Sequence, residues 1–200
     1  MSAKRRVGAE DSATRAALLD AAQALMVEEG YAAVTSRKVA ARAGVTPPLV
    51  HYYFRTMDDL FVALVRRGAE QTRARQAKAL ASPHPLRALW EIQTDPAGRT
   101  VITEMAALAN HRKELRTEIA ALAEQLRREQ VAAITPVLAA SGLGDVISAE
   151  AFVTLANALG QVLVMEDALG VTEGHDAARA LVEAVLARYE HGWDADGEDR

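Results

Sequence analysis

The chain is 200 residues long, half of them hydrophobic but only 4% aromatic, with no cysteine and a formal net charge of −4. That length can bury a sizeable core, and abundant Ala and Leu with few aromatics argue against a β-sandwich and for packed helices. The missing thiols exclude a disulfide framework and a thiolate metal site, which suits a reducing cytoplasm.

The N-terminus carries Lys4, Arg5 and Arg6, followed by Glu10 and Asp11 in place of an apolar stretch, and no run approaches 18 apolar residues. Neither a signal peptide nor a membrane span is expected. The basic start reads as an arm, either unstructured or tracking a DNA minor groove. Asp11 or Ser12 offers an N-cap to a helix carrying Leu18, Leu19, Ala22, Leu25 and Met26 at helical spacing, and Gly30 ends it. Thr35 and Ser36 open a short helix with Val39, Ala40 and Ala43 on its apolar face, and Gly44 stops it. Pro47 suits the first turn of the next helix, where a missing N–H costs nothing. That helix ends near Phe54. Thr56 to Asp58 begin another, which runs to about Leu80 before Ser82, Pro83 and Pro85.

The remainder is also helical. A short segment holds Leu86, Leu89 and Trp90, and Asp95-Pro96 marks the next start. Leu115, Ile119, Leu122 and Leu126 recur at 4-3-4 spacing in a long helix that Pro136 should kink or end. Residues 148 to 169 form a helix that is apolar nearly all round, 176 to 190 form an amphipathic one, and the acidic end from Gly192 is expected to fray. The fold class is all-α with about nine helices: a three-helix head over residues 1–60 and a larger helical bundle over 61–200.

Charge divides unevenly along the chain. Residues 1–90 carry 14 Lys and Arg against 8 Asp and Glu, and residues 91–200 carry 9 against 19. A basic first half fits a phosphate-backbone partner, although the acidic second half can equally be a solubilising surface. Within this half, "VAARAGVTPPLVHYYF" at 39–54 holds three of the nine aromatics side by side. A capped helix, a glycine turn and a second short helix make a helix-turn-helix. Val45 plugs the angle between the helices. Val50 and Phe54 at i,i+4 bury one face of the second helix, and Pro47, Leu49, His51 and Tyr52 take the other. Tyr52 and Tyr53 offer hydroxyls within reach of phosphate oxygens.

The stretch "TSRKVAARAGVTPPLVHYYFRTMDDLFVALV" closely resembles the N-terminal signature of the TetR family of bacterial transcriptional repressors. The likeness covers roughly residues 12 to 65. It implies an Ω-shaped all-α homodimer, a palindromic double-stranded DNA operator and an effector pocket in the larger domain. By the same resemblance, Thr35 and Ser36 contact phosphates, Arg37 reaches a base edge, Pro47, Leu49 and His51 face the groove, and Tyr52 contacts the backbone. Two residues depart from the family pattern. Met57 stands where a phosphate-binding Lys is usual, leaving that contact to Arg55 or to nothing, and His51 stands where Tyr is common.

Large apolar side chains with a few polar ones between Trp90 and Gln161 suit a cavity for a mostly hydrophobic small molecule, with Trp90, Met105, Phe152, Asn157 and Gln161 as candidate lining residues, although Trp90, Met105 and Phe152 read more readily as plain core. Thr154, Asn157 and Gln161 share one helix face, and either meet that cavity or hydrogen-bond across a helix interface. The 148–169 helix is too apolar for one core to cover, so Ala156, Leu159 and Gly160, with Leu181 and Val185 of the next helix, are expected at a two-fold dimer interface. The histidines (51, 84, 111, 175 and 191) show no zinc spacing, and no nucleotide-binding or hydrolase motif occurs, so no metal, no cofactor and no enzyme activity are expected. Two readings remain: a ligand-responsive repressor, or a helical small-molecule binding protein whose DNA head is vestigial, since residues 1–60 carry only 8 basic against 7 acidic residues.

Overall fold

The computed structural model describes residues 13–190, which form nine α-helices and two short 3₁₀ turns, with no strand among them. The helices are α1 (Ala13–Glu29), α2 (Ser36–Arg42), α3 (Pro47–Tyr53), α4 (Met57–Leu80), α5 (Pro85–Gln93), α6 (Pro96–His111), α7 (Lys113–Ser141), α8 (Ala149–Leu169) and α9 (His175–Glu190). The expected N-caps Asp11 and Ser12, the basic arm, His191 and the acidic end lie outside the described residues. Contacts gather the chain into two units, one reaching Gly68 and including Val101–Ala120, the other made of Ala69–Thr100 and the residues from Ala121.

The first unit is organised by α1, whose Leu18, Leu19, Ala22, Leu25 and Met26 are buried together with Val39 and Ala40 of α2, Val50 of α3, Phe54, and Leu60, Phe61 and Leu64 of α4. Met105 and Leu108 of α6 and Leu115 of α7 complete the same core. Glu104 fixes α6 to the turn after α1: its carboxylate accepts from the Tyr31 N–H at 2.6 Å, beside Gly30, whose φ of 81° needs glycine. Met105 therefore belongs to this core and is unavailable to a cavity elsewhere.

The second unit has its own core, with Leu86 and Leu89 of α5, Ile134, Val137 and Leu138 of α7, Val153 of α8 and Leu186 of α9. At one end of α5, the Glu190 carboxylate accepts from the Arg87 N–H at 2.6 Å. At the other, Gly160 of α8 lies so close that a Cβ there would sit 2.2 Å from the Gln93 carbonyl oxygen. Gly160 thus makes a close helix approach inside the chain, which corrects its placement at a dimer interface. Pro136 does not end α7, which continues to Ser141. Pro136 and Ala132 both face outward, so the carbonyl deprived of its N–H partner stays within reach of water.

By length and composition α8 could cross a bilayer, but only part of its surface is unclaimed by its own chain. Val153, Gly160 and Leu163 are buried, the Ser148 hydroxyl caps the first turn, and Asn157 and Thr154 take hydrogen bonds from Arg99 and Arg127. The remaining face is apolar and exposed.

Candidate nucleic-acid interface

The helix-turn-helix is built almost entirely from local backbone rules. Thr35 is the N-cap of α2, its hydroxyl accepting from the Lys38 N–H at 3.3 Å. At the other end, the Val45 N–H bonds to the Ala40 carbonyl (2.9 Å) and the Gly44 N–H to that of Ala41 (3.3 Å), with Gly44 at φ 68°. This paired closure is a Schellman motif, and it turns the chain directly into α3. Pro47 and Pro48 fill the first turn of α3, where neither lacks a needed bond. The next start, at α4, is a reciprocal box: the Thr56 N–H donates to Asp59 Oδ2 and the Asp59 N–H to Thr56 Oγ1, at 3.0 and 3.1 Å.

Burial then sorts the side chains of α3. Val50 and Phe54 are sealed in the core, and Val45 packs half-buried against it. Pro47 and His51 are exposed, Leu49 is half-buried, and Tyr52 is 45% exposed. Tyr53 departs from its neighbour: it packs against the core and meets the Tyr52 ring edge-to-face at 5.2 Å, supporting Tyr52. Ser36 is half-buried, while Thr35, Arg37 and Arg55 are exposed.

Charge on this surface is also sorted. Lys38 pairs with Glu29 at 2.5 Å, and the Arg42 guanidinium grips both oxygens of Glu28 at 2.6 Å, holding that carboxyl below its usual range. Arg37 and Arg55 make no ion pair with any described residue. Two basic side chains are thereby neutralised by α1, and two remain available to an anion beside α3. Met57 packs half-buried against the core, so the usual phosphate-binding position holds an apolar contact here. Thr46, exposed just before Pro47 with its hydroxyl unused as a cap, was not singled out from the sequence; its place at the head of α3 is the signal that could have found it.

The second unit holds a cavity of about 200 Å³. Trp90 and Phe152 line it, and so do Ala156, Leu159, Leu181 and Val185, which the sequence pattern assigned to an interface. Asn157 and Gln161 are not among its walls; Asn157 accepts from the Arg99 guanidinium at 3.3 Å and donates to the Val153 carbonyl at 2.8 Å. The polar walls are Gln76, Gln93 and Gln130, all buried and none singled out from the sequence, because each reads as an ordinary helix-surface residue. Arg99 stands behind Gln93, 6% exposed, donating to its backbone oxygen at 2.7 Å and to its carboxamide oxygen; burial pushes this guanidinium below its usual pKa.

Residues 18–64 match the bacterial regulatory proteins of the tetR family. Over 138 residues the chain is 29% identical to the HTH-type transcriptional repressor BepR of Brucella suis, a match that covers 59% of this chain and spans 66% of that one. Among solved structures, a Rhodococcus protein described as a TetR-family transcriptional regulator superposes with a TM-score of 0.69 at 20% identity, covering 88% of this chain and 98% of that one. The multidrug binding protein EbrR, solved in complex with proflavin, superposes with a TM-score of 0.51 at 27% identity, covering 77% and 90%.

Proposed function

We propose that this chain, a member of the tetR family of bacterial regulatory proteins, is a ligand-responsive repressor that binds a palindromic operator as a homodimer. The observation that carries the reading is the exposed edge of the helix-turn-helix. Arg37, Pro47, His51, Tyr52 and Arg55 are all solvent-facing around α3, while the opposite face of that helix is locked in the core. Such a helix fits the major groove, with Arg37 suited to guanine O6 and N7, and Thr35, Ser36, Tyr52, Tyr53 and Arg55 suited to phosphates. The DNA-reading helices lie within residues 1–60, resting on a core to which Phe61, Leu64, Met105, Leu108 and Leu115 also contribute, and the rest of 61–200 supplies the effector cavity and the dimer contact, in a cytoplasmic protein.

The dimer reading rests on a stripe along α8. Ala151, Leu155, Ala158, Val162, Met165 and Leu169 follow one another at 4-3-4-3-4 spacing and are all exposed; Leu155 and Leu169 are 61% and 73% exposed, and Leu181 on α9 is 66% exposed. Apolar stripes of this length ask for a partner, and a second copy of the same two helices would form a four-helix contact about a two-fold axis. The effector reading rests on the cavity and is supported by the likeness to EbrR, which was solved with a bound small molecule. An effector releases DNA only by favouring a dimer whose heads no longer match the half-site spacing.

The test is a gel-shift titration on double-stranded DNA from the chain's own upstream region. Arg37→Ala and Tyr52→Ala should each weaken binding by about 1–3 kcal/mol without altering the fold, the first in a way that depends on operator sequence and the second nearly uniformly. If both variants bind like the parent, this docking is wrong, and a small-molecule binder with a vestigial head is left.

A further inference from the structure

The cavity of the second unit says more about its ligand than that it is apolar. Among the described residues none of its walls carries an ionisable side chain; the polar residues that line it are Gln76, Gln93 and Gln130. The three are 9%, 7% and 8% exposed. Arg99 has only donors, so the Gln93 atom it meets is the carboxamide oxygen, which leaves the Gln93 amino group to face other partners. Gln76 and Gln130 differ from it. Their carboxamides make no hydrogen bond with any described residue, their polar atoms are not sealed off, and both residues line the cavity.

These two glutamines come from facing helices. The Arg73–Glu129 pair, at 2.5 Å, ties α4 to α7 one turn from Gln76 and one residue from Gln130, and Gln125 donates to the same Glu129 carboxylate at 2.9 Å. Buried amides are nearly always paired, so two carboxamides at one level of an otherwise apolar cavity mark the place for a polar group of a ligand. Each amide offers a donor and an acceptor, which suits a neutral group such as a carboxamide, hydroxyl or ketone. A charged head would lose its hydration without meeting an opposite charge on any described wall residue.

We propose that the cavity takes an uncharged, single-headed lipophile, an aliphatic or alicyclic body bearing one amide, hydroxyl or carbonyl group, and that Gln76 and Gln130 read the head. This rests on the effector reading given above. It is tested independently of DNA by titrating octanamide, octylammonium and octanoate into the full chain at pH 7, following the fluorescence of Trp90 in a Trp193→Phe background. Octanamide should bind at least ten-fold tighter than either charged homologue. Gln76→Leu and Gln130→Leu should each weaken octanamide about ten-fold while leaving octane binding equal or tighter, with unchanged helical circular dichroism as the check on folding.

Tighter binding of octylammonium or octanoate would overturn the proposal, as would failure of all three probes to bind. Because the ranking of the three probes needs no glutamine variant, an unstable glutamine substitution does not blunt the test. If the ranking fails while operator DNA still binds, the repressor reading stands and the ligand class is wrong; if DNA binding fails while octanamide is preferred, the reverse holds.

Discussion

The reading head and the cavity unit solve the same packing problem over very different chain distances. Between Thr35 and Phe54 every bend is set by near neighbours: a threonine cap, a Schellman turn at Gly44, two prolines in a first turn. In the cavity unit, Arg99 meets Asn157 across 58 residues and Arg87 meets Glu190 across 103. The glycines show the contrast. Gly44 is needed for its φ of 68° and has nothing within 4 Å of an added Cβ, whereas Gly160 is an ordinary helical residue with another helix's backbone in the way. Local rules make the helix-turn-helix, and distant contacts make the cavity.

The largest effect should come from the stripe on α8, where the two units differ most in what they leave exposed. Val162→Glu places a charge on the proposed dimer contact and should weaken it by about 3 kcal/mol or more, since an unpaired buried charge is strongly unfavourable. Sedimentation equilibrium across concentration reads this. A wild-type monomer at micromolar concentration, or a variant that dimerises unchanged, would remove the dimer from the account.

Gly160→Ala comes next. In most helix interiors this exchange stabilises by roughly 0.5–1 kcal/mol; here the 2.2 Å approach to Gln93 should reverse the sign and destabilise by about 2–3 kcal/mol in urea unfolding. Gly44→Ala should cost about 1–2 kcal/mol, from backbone strain alone. Equal losses at the two glycines, or a gain at Gly160, would erase the contrast between turn and close approach.

The smallest effect belongs to the turn between α8 and α9. His175 is 3% exposed, with Nε2 2.8 Å from Glu166 and Nδ1 2.9 Å from Asp167. The Glu166 hydrogen bond, with help from Asp167 and against desolvation, raises its pKa above 6.5. The folded chain therefore holds this proton more tightly than the unfolded one. Its contribution to stability is complete below the unfolded pKa and is lost as pH rises through the raised one. Urea midpoints measured across that window should fall with pH in the parent and fall less in His175→Gln; parallel curves would contradict the assignment.

How much was legible follows from the same distances. The start of α2, the stop at Gly44, Pro47 in a first turn, the burial of Val50 and Phe54 and the exposure of Tyr52 could all be read from residues a few positions apart. The assignment of Ala156, Leu159 and Val185 to an interface did not anticipate a cavity, because an apolar helix does not reveal which face its own chain covers. Met105 had the right chemistry for a cavity and sits in the head's core, which only the return of α6 to that unit explains. Gln76 and Gln130 were invisible for the opposite reason: a glutamine on a long helix reads as surface until the facing helix is known.

If the exposed edge of α3 meets a phosphate backbone, DNA binding must depend steeply on salt. Fluorescence anisotropy with a labelled duplex from the upstream region should give an affinity that falls linearly on a log–log scale with salt, with a slope near −0.9 for each phosphate neutralised. Arg55→Ala should lower that slope by about one for each head engaged. Affinity that does not change with salt, or no binding at 50 mM salt by a protein that remains folded, would contradict it.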